Sequence, residues 1–255
     1  MFEATAASVP GGDAPNEDFH LVSGSWALVL DGITRYPDDG CVHDVPWYVR
    51  RLGAAIASGI GGSDALPEVL ASAIGAVNAL HASCDLRNPV SPGATVGMVR
   101  LAGGRIEWLV LGDCAVAWRG PGGIEVRSDG RLARLASPPA VVVVGAYRRY
   151  PVDYLARVRN RDGGFWVAST DPDAAAMAYT GAVPVEEVGE LLLCTDGLTR
   201  LVDRYGHSWS EVFDRAEAVG VAGLIGLVRE AGERVTGIGP NTKRHDDCTG
   251  IRLRF

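Results

Sequence analysis

An α+β sandwich is the fold class that this sequence predicts, in preference to a doubly wound sheet. Short β-branched and aromatic segments recur along the chain, and glycine-rich turns separate several of them at hairpin spacing. The helical patterns fall between and after these segments instead of alternating with each one.

Taken in order, strands are expected at 19–22, 26–30, 94–101, 105–111, 115–118, 124–127, 165–168, 191–194 and 249–255. Ser23-Gly24-Ser25 and Gly103-Gly104 supply two tight turns. A first helix is expected over 45–60, where Val45, Val49, Leu52, Ile56 and Ile60 share one face. A second begins near Pro67, a favoured first-turn residue, and carries Leu66, Leu70, Ala73, Val77, Leu80 and Cys84. Further helices are expected at 198–204, 209–219 and 221–235. The stretch 129–161 mixes periodicities and holds Pro138-Pro139 with Arg148, Arg149, Arg157, Arg159 and Arg161. It reads either as a flap-like surface subdomain able to touch substrate or as a solvated loop region.

The 255 residues, 47% of them apolar, suit a single domain spanning 1–255. A net charge of −7 opposes phosphate-backbone binding, so no nucleic-acid partner is expected. MFEATAASVP has no basic start or long apolar core, and runs such as Val141–Val144 fall far short of the roughly 20 residues that span a bilayer. A cytoplasmic protein without a membrane partner is the expectation. The cysteines Cys41, Cys84, Cys114, Cys194 and Cys248 are odd in number and form no Cys-x-x-Cys pair, which predicts reduced thiols and neither a disulfide framework nor a thiolate zinc site.

The acids carry more information. Strands end in Asp31-Gly32, Gly112-Asp113 and Thr195-Asp196-Gly197, and the pairs Glu17-Asp18 and Asp246-Asp247 flank two others. If Ser23-Gly24-Ser25 is a three-residue turn, Val22 faces Trp26 and Glu17 falls opposite Asp31. Counting from Gly103-Gly104 puts Asp113 beside Ala94 and Thr95. Like charges facing across a ladder need a cation or a shared proton. A dense oxygen set suits Mg²⁺ or Mn²⁺ better than zinc, and the glycine after Asp31 lets its carbonyl serve as a ligand. Two such ions about 3.5–4 Å apart can activate water for an in-line displacement at phosphorus.

In order, Asn16-Glu17-Asp18, Leu30-Asp31-Gly32, Gly93-Ala94-Thr95, Leu111-Gly112-Asp113-Cys114, Thr195-Asp196-Gly197-Leu198 and Asp246-Asp247-Cys248-Thr249 resemble the motifs of the PPM-type (type 2C) metal-dependent protein phosphatases, in a bacterial-like form. The resemblance covers nearly the whole chain. It implies two antiparallel sheets flanked by helix layers, with metals in a cleft at one end. It implies that Asp31 bridges two Mg²⁺ or Mn²⁺ ions, that Glu17 and the Gly32 carbonyl complete one, and that Asp196 and Asp246 complete the other. Asp18 would hold metal-bound water, and Asp113 with Asp196 would serve a possible third ion. The implied reaction is direct attack of metal-activated water on a phosphoserine or phosphothreonine of a protein, in signalling.

Substrate handling departs from the pattern. The family's phosphate-gripping Arg, four residues before the Glu, is here Asp13; Ile33-Thr34 replaces the His that some members carry; and Cys114-Ala115 replaces Ser and Arg. Arg35 and His43 are candidate substrate contacts in its place, while Lys243, Arg244 and His245 read as a solvated turn. The alternatives are a degenerate phosphatase that binds a phosphorylated partner without turnover, and a hydrolase of small phosphomonoesters.

Overall fold

The computed structural model describes residues 1–144, 147–236 and 243–255. Two five-stranded antiparallel sheets stack face to face and are covered on their outer faces by helices. One sheet runs β1 (Glu3–Val9), β12 (Cys248–Arg254), β11 (Glu190–Cys194), β6 (Ala115–Gly120) and β7 (Gly123–Ser128). The other runs β10 (Tyr179–Pro184), β5 (Arg105–Leu111), β4 (Ala94–Ala102), β3 (Trp26–Gly32) and β2 (Asp18–Val22).

The central strands are apolar on both faces because both faces are covered. Along β3, Ala27 and Val29 point between the sheets, while Leu28 and Leu30 point at α1 (Val45–Gly59) and α2 (Leu66–Asn78). Along β11, Leu191 and Leu193 face the inter-sheet core, while Leu192 and Cys194 face α4 (Asp196–Asp203) and α5 (Trp209–Arg234). Asp44 caps α1 by accepting the Trp47 N–H at 2.7 Å, and Pro46 stands in its first turn. Gly220, at φ 69°, breaks α5 into the two helical runs that the periodicity predicts.

Four differences from the sequence expectation have physical causes. β1 and β10 pair at sheet edges with small or turn-prone residues, EATAASV and YTGAVP, and so lack the apolar signature of buried strands. Residues 165–168 make only two isolated bridges, Ala94 with Ala168 and Arg159 with Phe165, because Phe165 and Val167 turn into a separate small core with Tyr36, Val90 and Leu155. α2 stops at Asn78, and tighter turns (Leu80 N–H to Val77, His81 N–H to Asn78, Cys84 N–H to His81) take over from the helical ladder. Within 129–161 lie the hairpin β8 (Val142–Val144) and β9 (Tyr147–Arg149) and the helix α3 (Val152–Val158). Among the described residues no helix is long and apolar enough to cross a membrane.

Glu190 fastens the first sheet to α5. It is buried, with one oxygen accepting Arg119 Nε (2.8 Å) and the other Arg252 Nε (2.7 Å), while Arg119 also reaches Asp214 and Arg252 donates to the Ala216 carbonyl on the helix. Removing the acid leaves the Arg252 guanidinium without a carboxylate and Arg119 with only its exposed partners Asp214 and Glu217. Glu190→Ala is therefore expected to cost about 3–5 kcal/mol in urea unfolding, and Glu190→Gln less. A loss below about 1 kcal/mol for Glu190→Ala would show that the arginines find other partners.

Candidate functional site

The antiparallel registers carry acids from both sheets to one end of the sandwich. Asp18 pairs directly with Asp31 across β2 and β3. The sequence count put Glu17 there. Ser23 N–H donates to the Trp26 carbonyl at 2.8 Å and the ladder runs on from Val22 with Ala27, so the turn is Gly24-Ser25, one residue shorter than counted, and the register moves by one. Glu17 lies just beyond the ladder, where its carbonyl accepts the Gly32 N–H at 3.1 Å. A Cβ on Gly32 would fall 2.3 Å from Val45 and 2.5 Å from that carbonyl, so only glycine lets α1 and Glu17 approach this closely. Gly103 and Gly104, both at positive φ, form the two-residue turn expected of them; the ladder ends at Val96 with Leu111, Ala168 takes the place beside Ala94, and Gly112 packs on Thr95 just before Asp113. On the other sheet, Asp196 opens α4 directly after β11, and Asp246 and Asp247 directly precede β12.

A second layer of hydroxyls and amides holds these acids. Asp18 Oδ2 accepts the Thr195 hydroxyl at 2.8 Å, and the Thr195 oxygen accepts the Thr249 N–H at 3.0 Å, which ties the two sheets together at the site. Asp18 Oδ1 is buried and has no hydrogen-bond partner. Asp247 accepts the backbone N–H groups of Gly11 and Glu17, both at 2.7 Å, so its carboxylate fastens the loop that presents Glu17. The Asn16 side chain makes the same loop fold back, accepting the Asp18 N–H at 3.0 Å and donating to Ser8 at 2.8 Å.

Crowding shows in the proton affinities. Burial, followed by Asp196, Asp18, Asp113 and Asp246, holds Asp31 well above the ordinary carboxylate range. Burial, then Asp247 and Asp196, pushes Asp18 up to about 8; burial, then Asp113 and Asp246, pushes Asp196 up to about 7. Glu17 and Asp113 are raised as well, by burial first. Asp246 goes the other way. Burial works upward on it too, but Lys243 and Arg200 outweigh burial and keep it below its usual value.

Asp31, Asp113, Asp196 and Asp246 line a cleft of about 450 Å³. Its walls include Tyr147, Arg148 and Arg149 from the hairpin, Arg200 and Arg204 from α4 and its end, and Lys243. Arg149 donates to the Thr34 carbonyl at 2.8 Å and stacks over Tyr36, so the hairpin is anchored onto the loop after β3. Lys243 is no solvated-turn residue: its Nζ donates to Thr34 at 2.9 Å and to Asp246 at 3.1 Å, and lies 3.9 Å from Glu17. Arg200, one helical turn after Asp196, pairs with the other Asp246 oxygen. No sequence signal beyond that four-residue spacing marks it.

Arg35 and His43 lie outside the cleft lining. Arg35 donates twice to the buried Asp39 (2.9 and 2.8 Å) and once to the Cys41 carbonyl (2.7 Å), which turns it away from the acids. His43 stacks on Trp47 and faces Cys41 and Cys84. The expectation that the thiols share no metal-ligating geometry is also corrected: Cys41, His43, His81 and Cys84 converge with their ligand atoms within 4.8 Å of one another. The spacings Cys-x-His and His-x-x-Cys were the signal. Asp13 is exposed and does not line the cleft.

No family model and no curated protein sequence matches the chain. Solved structures do. The serine/threonine phosphatase PstP/Ppp of Mycobacterium tuberculosis is 14% identical with a TM-score of 0.64, over 100% of this chain and 98% of its own. The PstP catalytic domain crystallised with two manganese ions is 15% identical with a TM-score of 0.62, over 99% and 97%. The serine/threonine phosphatase Stp1 of Staphylococcus aureus is 12% identical with a TM-score of 0.62, over 100% and 95%. The chain thus has, end to end, the α+β sandwich fold of the type 2C serine/threonine phosphatases.

Proposed function

We propose that the chain is a Mg²⁺- or Mn²⁺-dependent phosphatase acting on phosphoserine or phosphothreonine in proteins. The observation that carries this reading is the convergence of buried, mutually repelling acids at one end of a basic-walled cleft, with Asp18 Oδ1 left unpartnered among them. An all-oxygen donor set fits hard divalent cations. Two manganese ions in a PstP structure support a similar loading here.

Asp31, Asp196 and Asp113 would hold the ions, together with the Gly32 carbonyl. Glu17 and Asp246 join them by exchanging Lys243 for a cation. Bound divalent ions supply Lewis-acid stabilisation at phosphorus and acidify water at neutral pH. The protein's own groups do the rest. Thr195 and Thr249 fix Asp18, so that one of its oxygens stays directed into the cluster to orient water and take a proton from it. Arg148, exposed on the cleft wall, offers the dianionic phosphate a guanidinium fork in place of the one missing at Asp13. Arg200 and Lys243 on Asp246 favour a second reading, a phospho-partner module without turnover, because they already neutralise one acid.

Turnover of a phosphothreonine peptide and an aryl phosphate, in chelator and in Mn²⁺, separates the readings. Metal-dependent release of phosphate from the peptide is expected, and its absence in both substrates would favour the binding module. Asp31→Asn is expected to lower turnover by more than about 10²-fold, since a neutral amide replaces the carboxylate central to the cluster. Near wild-type activity in a folded variant would remove Asp31 from the chemistry.

Metal and protons should compete in the stability of the protein. Acids raised from 3.8 to about 7 and about 8 bind protons more tightly folded than unfolded, so their contribution is present at low pH and is lost as pH climbs through those values. In chelator the melting temperature is therefore expected to fall between about pH 5 and 8. Saturating Mn²⁺ should restore it most at the upper end. A metal-free melting temperature that rises over this range would contradict the cluster as drawn.

Lys243 supplies a further check. Because its ammonium neutralises Glu17 and Asp246, Lys243→Ala should lower several-fold the Mn²⁺ concentration needed for half-maximal stabilisation. Weaker metal binding in the variant would mean that Lys243 organises the acids and does not compete for them.

A further inference from the structure

Outside the acid cleft, the loop between β3 and α1 meets the turns that follow α2, and each contributes one cysteine and one histidine. Cys41 Sγ lies 3.4 Å from Cys84 Sγ, and His43 Nδ1 lies 3.7 Å and 3.6 Å from the two sulfurs. Around a tetrahedral zinc, with bonds of about 2.3 Å to sulfur and about 2.0–2.1 Å to nitrogen, neighbouring ligand atoms sit roughly 3.5–3.8 Å apart. The sulfur-to-nitrogen distances fall in that window, and the sulfur pair at 3.4 Å lies just below it.

The surroundings are those of ligands already oriented. His81 Nδ1 is 2.9 Å from the Val77 carbonyl, and since a carbonyl only accepts, that nitrogen carries the proton and Nε2 is left with its lone pair. The His43 ring is stacked on Trp47 at 3.8 Å between centroids and meets His81 edge to face at 5.1 Å. Two backbone amides point at the sulfurs, Val42 N–H at Cys84 and His43 N–H at Cys41, both at 3.4 Å, which suits thiolates better than thiols. The Cys41 backbone is itself clamped: its N–H donates to Asp39 at 3.0 Å and its carbonyl accepts Arg35 at 2.7 Å. Asp85 N–H, donating to the Gly40 carbonyl at 2.8 Å, ties the two segments together beside the cluster.

We propose that Cys41, His43, His81 and Cys84 bind one Zn²⁺ ion in a closed, structural tetrahedral site. Two thiols give up their protons on binding, and four protein ligands leave no open position for catalysis. The ion staples the β3–α1 loop to the exit of α2. The near end of that loop carries Thr34 in the cleft wall, so the staple also limits how far the wall can move. This site is independent of the phosphatase reading.

The test is elemental analysis of the whole chain purified under reducing conditions from zinc-supplemented medium. One zinc per chain is expected, retained in Asp31→Asn and lost in Cys84→Ser and in His81→Ala. Because a variant may be lost to misfolding, wild-type protein stripped and reloaded with Co²⁺ is read in parallel, and the charge-transfer and intense d–d bands of tetrahedral thiolate cobalt are expected. Three results would each overturn the proposal: no zinc and no such cobalt spectrum in the wild type, zinc that follows Asp31 instead of Cys84, or a Cys41–Cys84 disulfide as the form present in reducing buffer.

Discussion

The molecule is organised around an electrostatic problem, the gathering of like-charged carboxylates where water is scarce. Asp18 and Asp31 face each other across one sheet, and Asp196 and Asp246 arrive from the other. Left alone, such a set disfavours the folded state at neutral pH. The sandwich has to be stiff enough to hold them, which is what the double-faced cores around β3, β4, β5 and β11 provide. The hydrogen bonds of Thr195 and Thr249 then join the sheets at the one place where repulsion would part them. Asp247 spends both oxygens on backbone amides and so belongs to this scaffold; any side chain with an acceptor of similar length could serve there.

Much of this was legible in the residues. Apolar runs ending in Asp-Gly or Gly-Asp mark buried strands whose tips carry function, and the helix stripe from Val45 to Ile60 is the buried face of α1. What failed was geometry finer than one residue and everything non-local. The Ser23–Trp26 turn could not be measured from composition, and that single residue exchanged Glu17 for Asp18 opposite Asp31. The edge strands β1 and β10 gave no apolar signal because half their surroundings are solvent or loops. Arg200 bears on Asp246, and Lys243 on Thr34 and Glu17, only through the fold, and counting charges cannot find a cation whose partner lies 46 positions away.

The loop from Ile33 to Asp44 joins two chemical environments of opposite character. At its start, oxygen donors and a basic wall suit hard divalent ions and phosphate; near its end, sulfur and imidazole suit a softer one. Arg35 and Asp39 stand between them and lock the intervening turn. Sorting by ligand hardness would keep the ions proposed for the two environments from exchanging places, even though a single short segment touches both.

The pairing of β1 with β12, Glu3 against Arg254, has a consequence for how the protein comes into being. Asp246, Asp247 and Thr249 stand at the head of the last strand, and they close a cluster whose other members were translated far earlier. Until that strand clears the ribosome, Glu17 lacks the fastening of its loop, the Thr195 hydroxyl that meets Asp18 lacks its Thr249 anchor, and the first strand has no neighbour. A nascent chain therefore carries an unfinished sheet edge and an incomplete centre until β12 is free to pair. Pairing of β12 with β1 and β11 thus closes the sandwich and brings Asp246 to the other acids in the same step.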